Sequence, residues 1–276
     1  SNFSTCSIKL VEWIGGLAIF SLTTMFIYYL KVDSSSILEI SQNLTPWAVG
    51  IVILFSNLIL QWGITWTTFK KSLPSITKIS IELLKRISMF QVLNSVVPLV
   101  IVNIALLNSQ SNKILVLSSD IMITFIVICV FPLLTNLISP NYWILKCKRR
   151  LVSCSSYIHT QEEINQLYLD PEIKIHEFYI YFIRTVLFVS ICFGISPGVA
   201  PLGFLFLTFA YWIDKYNILR RHMIPTNLRS EIAEEAFEVL ELLILFLGIG
   251  LFLLYQLKEY YAPVDRSLHT LVLSTS

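Results

Sequence analysis

The sequence predicts an all-α, polytopic membrane protein with seven transmembrane helices, and three observations predict this fold class. Hydrophobic residues make up 55% of the 276-residue chain and charged residues only 14%, whereas a typical soluble domain has about 25% charged residues. Seven apolar stretches are long enough, or nearly long enough, to cross a bilayer. Lys and Arg residues collect in alternate loops between these stretches, which is the pattern of the positive-inside rule.

The composition also excludes other classes of protein. A mean hydropathy of +0.71, with 18 Phe, 12 Tyr and 6 Trp, is too much apolar surface for a soluble domain of this size. The 9 Gly, 10 Pro and 5 Cys exclude collagen-like, disordered and disulfide-rich chains. The net charge of +2 says nothing about partners by itself, and we expect no nucleic-acid partner.

The first four predicted helices, A to D, are separate apolar runs. Helix A ends before Lys31, and helix B ends before Lys70. Helix C contains Pro98, which should bend it and free a carbonyl group near Asn94. Helix D is polar near both ends and apolar between them, with Pro132 to kink it.

The last three predicted helices, E to G, include a hairpin. Helices E and F are joined by Ser196-Pro197-Gly198, with Pro201 just beyond, so we expect a tight corner at the membrane surface, where water satisfies the freed backbone groups. The seven helices span about 8–30, 47–69, 88–108, 115–138, 176–195, 198–213 and 236–257, in one membrane domain over residues 1–276. The chain begins at Ser1 without Met, and we expect it to be the membrane core of a longer protein.

The distribution of basic residues predicts the orientation. The loops at 70–87, 139–175 and 214–235 hold fourteen of the twenty Lys and Arg residues. Because these loops alternate with loops that hold few Lys and Arg residues, they are predicted to be cytoplasmic. The N-terminus is then cytoplasmic and the C-terminus lies outside, which requires all seven crossings.

Charged residues at membrane depth are candidate functional residues, because burial in hydrocarbon is costly. Arg184 lies seven residues beyond Glu177 in helix E, about 10 Å from the cytoplasmic side. Asp120 lies near the outer end of helix D, too far away to pair with Arg184, whereas Glu238 and Glu241 match the depth of Arg184. Arg184 is therefore interpreted either as part of an inter-helix ion pair or snorkelling group, or as a charge in a water-filled conduit.

Helix D has the pattern of a hydrophobic gate between two polar ends. Asp120 and Thr124 precede an apolar neck from Phe125 to Phe131, and Asn136 follows. An ordinary kinked helix with a wet outer end would show the same pattern. The candidate pore and gate residues are Asp120, Thr124, Phe125, Phe131, Pro132, Asn136, Asn94 and Arg184.

Other polar residues have less specific interpretations. Asn57, Gln61, Asn94, Ser95 and Asn103 on helices B and C are expected to hydrogen-bond between helices. Five glutamates precede and enter helix G at helical spacing, and they form either a solvated helix start or a cation-concentrating vestibule that includes Glu238 and Glu241. No nucleophile–base arrangement, P-loop or cysteine and histidine cluster is present, so we expect no enzyme, metal or cofactor.

Several motifs, taken in order, resemble the channel region of the OSCA family. These are the start of helix A at Ile8–Trp13, the end of helix B at Phe69–Ser75, Phe90–Asn94 in helix C, the Ser196–Pro201 corner and Asp214–Asn217 after helix F. The resemblance covers about residues 8–257. It implies a calcium-permeable, tension-gated cation channel of the wider anoctamin and transmembrane-channel-like superfamily, with a pore lined mainly by helices A to E.

Two features depart from this resemblance. The membrane interior of helices E to G has no cluster of acids like the anoctamin calcium site, and Pro132 stands where relatives often have a hinge glycine. The resemblance also implies a homodimer with one conduit per subunit, with membrane lipids and cations as the other partners. A plasma or ciliary membrane is the expected location.

The predicted function is a mechanosensitive cation channel with helices A, C, D and E around a conduit. Tension would open it by widening the apolar neck of helix D, because a stretched bilayer favours the state of larger in-plane area. Two alternatives remain open at this point: a lipid scramblase of the same superfamily, or a non-conducting membrane subunit of a larger assembly.

Overall fold

A computed structural model describes the backbone of residues 2–34, 39–71, 75–105, 113–154, 160–171, 175–223 and 231–274. Side chains are described for residues 11–32, 44–71, 75–105, 116–152, 160–171 except 166, 175–223 and 231–256. The regular elements in these ranges are α-helices. In chain order they are α1 Asn2–Ser34, α2 Glu39–Lys70, α3 Ile76–Ala105, α4 Lys113–Ile138, α5 Pro140–Cys154, α6 Gln161–Tyr168, α7 Ile175–Cys192, α8 Val199–Arg220 and α9 Glu231–Ser274.

Six stretches of the described chain are long and apolar enough to cross a membrane, which makes this a multi-pass membrane protein. The all-α fold class is therefore confirmed. Helix α8 covers the predicted crossing 198–213 but is not one of the six, so the seventh crossing and the orientation stay predictions. The six stretches are Val11–Val32, Leu44–Lys70, Ile76–Ala105, Val116–Val152, Ile175–Cys192 and Glu231–Gln256.

The helices extend beyond the predicted crossings into the three predicted loops. Helix α3 begins at Ile76, so most of loop 70–87 is helical, and an i,i+4 ion pair between Glu82 and Arg86 supports this added part. Loop 139–175 contains α5 and α6, and loop 214–235 is shortened from both sides by α8 and α9. The predicted outer loop after helix A is shorter too, because α2 already begins at Glu39.

Helix α3 occupies the centre of the bundle. It packs against α1, α2, α4, α7 and α9, and its buried residues are distributed from Ser80 to Val102. Helix α4 packs mainly against α2 and α8 and less closely against α3 and α7. Large apolar side chains such as Trp62, Phe204 and Ile244 are more than 70% exposed on the outer surface, as expected where a helix faces lipid.

Candidate functional site along α3

Polar side chains follow α3 through most of its length, and we call this set the polar line. Glu82 lies near its start, Gln91, Asn94 and Ser95 near its middle, and Asn103 near its end. Positions 82 and 103 are 21 residues apart, or about 31 Å along a helix, which matches the thickness of the bilayer core. The three middle residues are at most 2% exposed, so polar groups lie inside the bundle at membrane depth.

Four side chains of α2 and α3 form an amide cluster in the middle of the polar line. Asn94 Nδ2 donates to Ser56 Oγ at 2.7 Å and to Asn57 Oδ1 at 2.9 Å. Asn57 Nδ2 donates to Ser95 Oγ at 2.9 Å. The predicted inter-helix hydrogen bonding of Asn57, Asn94 and Ser95 is confirmed. Among the described residues Asn94 Oδ1 is buried and accepts no hydrogen bond.

Arg184 of α7 lies beside the amide cluster and is only 7% exposed. Its Nη1 donates to Gln91 Oε1 at 3.0 Å, and its Nη2 donates to the Ile128 carbonyl oxygen at 3.3 Å. The guanidinium carbon is 5.4 Å from the centroid of the Tyr181 ring. These partners are neutral, so the predicted ion pair or snorkelling of Arg184 is corrected.

The Ile128 carbonyl is free to accept this bond because the residue four positions further along α4 is a proline. Pro132 lies inside α4 and has no backbone N–H, so it cannot donate to the carbonyl of Ile128 as a helical residue would. An unpaired carbonyl in the membrane core costs free energy. Arg184 supplies the missing donor and so connects α7 to the proline position of α4.

Three residues near the outer end of the polar line form what we call the outer triad. Lys31 of α1 forms an ion pair with Asp120 of α4, and both side chains are less than 10% exposed. Lys31 Nζ also donates to Asn103 Oδ1 at 2.7 Å, and Asn103 Nδ2 lies 3.4 Å from Asp120 Oδ2. Asp120 is therefore buried and neutralised, at a different depth from Arg184.

The inner end of the polar line is an ion-pair network of α1, α2 and α3. Glu12 is paired with Lys71 at 2.9 Å and with Arg86. Glu82 is paired with the same two cations, at 3.3 Å from Lys71. The side chains of Glu12 and Lys71 are 6% and 4% exposed, so this network closes the bundle at the predicted cytoplasmic end.

The candidate vestibule acids lie on α9 next to this network. Lys85 of α3 is paired with Glu235 and with Glu238, the latter at 3.1 Å. Glu238 and Glu241 are both exposed. Because Glu238 is paired with Lys85, neither vestibule acid is placed beside Arg184.

The side chains of the apolar neck of α4 do not all point in the same direction. Thr124 is fully buried, and Phe125 packs in the core with its ring centroid 5.3 Å from Phe188 and 5.9 Å from Phe206. Phe131, at the other end of the neck, is 38% exposed on the outer surface. Phe125 therefore lies against α7 and α8, whereas Phe131 faces outwards.

Asn136 connects the inner end of α4 to α8. Its Nδ2 is 3.4 Å from Asp214 Oδ1, and its carbonyl oxygen accepts from Asn217 Nδ2 at 2.8 Å. Asn217 Oδ1 also accepts from Ser139 Oγ at 3.3 Å. These bonds hold the α4–α5 junction against α8 rather than against the polar line.

The predicted corner between helices E and F is a turn between α7 and α8. Ser196 is 2% exposed, and its carbonyl accepts from the Val199 N–H at 3.1 Å. A Cβ at Gly198 would lie 3.2 Å from atoms of Met122, so this turn packs closely on α4. Pro197 lies within the turn, and Pro201 lies in the first turn of α8, where helical N–H groups have no intrahelical partner.

The structure brings some predicted site residues together and separates others. Asn94 lies on the polar line, Arg184 of α7 lies beside it, and Asp120 joins its outer end. Asn136 and the Ser196–Pro201 corner belong instead to contacts between α4 and the α7–α8 unit. Sequence reasoning missed Gln91, and it assigned no role to Lys31 or Glu12. The contact of Arg184 with Ile128 was partly predictable, because Pro132 cannot donate a hydrogen bond to the carbonyl four residues before it.

No protein-family model matches this chain, and no curated protein matches it. Among the described residues, no three His, Cys, Asp or Glu side chains are grouped so as to hold a metal ion. The proposed function therefore rests on the geometry of the polar line.

Proposed function

We propose that this chain is the pore region of a membrane-tension-gated cation channel that is permeable to calcium. The observation that carries the proposal is the polar line, a set of polar side chains that extends over about 31 Å of α3, of which Gln91, Asn94 and Ser95 are buried. Amide and hydroxyl side chains in a helix bundle also form hydrogen bonds between helices, but here they lie beside Arg184, a buried charged residue at the same depth. Polar residues at membrane depth are typical of ion pathways.

The proposed topology has seven crossings, with the N-terminus in the cytoplasm and the C-terminus outside. With α8 as a seventh crossing beside the six apolar spans, the three basic loops would lie on one side of the membrane. Without α8 as a crossing, the loop after it would lie opposite the other two.

One excess carboxylate at the inner end of the polar line supports a preference for cations. The described ion pairs at the inner end involve four carboxylates, of Glu12, Glu82, Glu235 and Glu238, against the three cations Lys71, Lys85 and Arg86. At the outer end Asp120 faces Lys31. Arg184 is the opposing charge at mid-depth, and it limits the cation current.

The proposed gate is the contact between α4 and the α3–α7 pair. Arg184 bonds to the carbonyl of Ile128, and the Tyr181 hydroxyl donates to the carbonyl of Cys129 at 3.4 Å. Both bonds cross from α7 to α4, which otherwise packs mainly against α2 and α8. Membrane tension favours the state of larger area, so it separates α4 from α7 and lets water enter the polar line.

The resemblance to the OSCA family supports the same function and adds calcium permeability. It also supports a homodimer with one conduit per subunit, in a plasma or ciliary membrane. Membrane lipids are partners in this proposal because they transmit the tension.

The test is a paired assay on liposomes that contain the purified protein. Cation flux under osmotic stretch is measured beside the flipping of a fluorescent lipid. The channel proposal predicts stretch-dependent cation flux, which Asp120→Ala makes less cation-selective. Lipid flipping without cation flux would favour the scramblase, and the absence of both would favour a non-conducting subunit.

A further inference from the structure

Helix α5 presents an apolar stripe that no described part of the protein covers. Trp143, Ile144 and Leu151 are 48%, 54% and 71% exposed, and Cys147 between them is an exposed free thiol. At 3.6 residues per turn these four side chains lie within an arc of about 100°. Left in water, such a stripe would expose most of three large apolar side chains.

Basic side chains border this stripe on both edges. The same helical projection places Lys148 beside one edge and Arg150 and Lys146 beside the other. Lys146 Nζ lies 5.1 Å from the ring of Trp143, and α5 contains no acidic residue. An apolar stripe between cationic borders is typical of helices that lie in the membrane–water interface.

The opposite face of α5 is held by the protein. Arg149 Nε donates to the Leu167 carbonyl at 2.8 Å, and its Nη2 bonds to Asp170 at 3.0 Å, just after α6. Tyr142 on the same side lies under the guanidinium of Arg221, at 5.7 Å. These contacts fix the rotation of α5, so its apolar stripe points away from the bundle.

The position of α5 along the membrane normal follows from α4 and α8. Tyr211 and Trp212 on α8 are exposed, with Lys215 Nζ 5.7 and 5.3 Å from their rings, which is the aromatic and basic composition of a membrane interface. Arg221, just beyond α8, contacts the first turn of α5. Ser139, with φ of 47°, interrupts the helix between α4 and α5, so α5 need not continue along α4.

We propose that α5 lies in the headgroup region of the leaflet where α4 ends, and that Lys146, Lys148 and Arg150 bind anionic phospholipid headgroups there. In the orientation given under the proposed function this is the cytoplasmic leaflet, which carries the anionic lipids. The binding needs membrane residence and charge, and it does not require the protein to conduct ions.

The test uses Cys147 as the site of a fluorescent bimane label. Cys129 and Cys192 are buried, so replacing Cys6 and Cys154 with Ser leaves Cys147 as the accessible thiol. The label on Cys147 is expected to be strongly quenched in vesicles of brominated phosphatidylcholine relative to unbrominated phosphatidylcholine, a comparison that cancels any quenching by the neighbouring Trp143. The matched control carries Cys147→Ser and Gln161→Cys, which moves the label to an exposed position on α6, and it should be little quenched.

The second arm compares brominated phosphatidylserine with brominated phosphatidylcholine. Each basic residue near the surface is worth about a fivefold preference for anionic lipid, so the three together should favour phosphatidylserine by roughly a hundredfold. The double variant Lys148→Gln with Arg150→Gln should lose most of this preference while the label stays in contact with lipid. An unquenched label in folded, reconstituted protein would mean that something other than lipid covers the stripe. That outcome, or an equal preference in both proteins, would overturn the proposal, whatever the flux assay shows.

Discussion

Gly250 on α9 marks the closest approach between two helices and offers a direct test of the α7–α9 packing. A Cβ added at Gly250 would overlap the carbonyl oxygen of Ile191 on α7, and one added at Gly194 would lie 3.0 Å from the carbonyl oxygen of Gly250. Small residues at such positions let helix backbones approach closely in membranes. The obstructing atoms are backbone, so neither helix can relieve the overlap by changing a rotamer.

Gly250→Ala is therefore predicted to destabilise the protein by about 2 kcal/mol. Restoring the usual carbon–oxygen separation of about 3.3–3.6 Å requires α7 and α9 to move apart by roughly 1 Å. Overpacking of this kind costs about 1–3 kcal/mol, and the upper end applies because the neighbour is backbone. The higher helix propensity of Ala offsets about 1 kcal/mol of this destabilisation.

The matched control is Gly248→Ala, two residues earlier on the same helix. Nothing lies within 4 Å of a Cβ at Gly248, so this variant should be as stable as the native protein or up to about 1 kcal/mol more stable. Thermal unfolding in detergent should show Gly250→Ala lower by about 4–8 °C and Gly248→Ala unchanged or higher. Equal melting temperatures for the two variants would refute the α7–α9 contact.

Three further predictions concern the polar line and its gate. Tyr181→Phe removes one hydrogen bond between α7 and α4, worth about 0.6 kcal/mol on average, so the tension needed for half-maximal opening should fall while unitary conductance stays the same; a raised threshold would contradict the gate. Arg184→Gln should raise unitary cation conductance about fivefold to thirtyfold, because a unit charge about 10 Å away interacts by roughly 1–2 kcal/mol at an effective dielectric constant of about 20. An unchanged conductance in single-channel recordings would contradict this. Asp120→Asn leaves Lys31 as an unpaired buried cation and should lower cation-over-anion permeability in reversal-potential measurements. Adding Lys31→Met removes that cation and should restore both thermal stability and selectivity, and a double variant that stays unselective would count against the outer triad.

The sequence predicted the helices well because length and hydropathy determine which segments can enter a membrane. It predicted their ends less well, because helices continue into water when ion pairs such as Glu82 with Arg86 support them. Helix α5 was missed for a related reason. Its apolar residues Trp143, Ile144 and Leu151 form a stripe at helical spacing, and a search for long apolar runs does not detect such a stripe.

The candidate site was only partly predictable for a different physical reason. Depth along a helix can be counted from the sequence, so the separation of Asp120 from Arg184 was predictable. Which helices are neighbours cannot be counted in this way, and the partners Lys31 and Gln91 depend on it. The acceptor at Ile128 was predictable in part, because Pro132 leaves that carbonyl unpaired.

The most direct test of the central claim is a patch-clamp recording from liposomes that contain only this protein and lipid. The proposed function predicts a cation-selective current that appears when suction stretches the patch and disappears when the suction is released. It further predicts that Asp120→Asn reduces the selectivity of that current, whereas Gly248→Ala leaves it unchanged. Stretched patches that contain folded protein and pass no current would contradict the claim that the polar line conducts ions under tension.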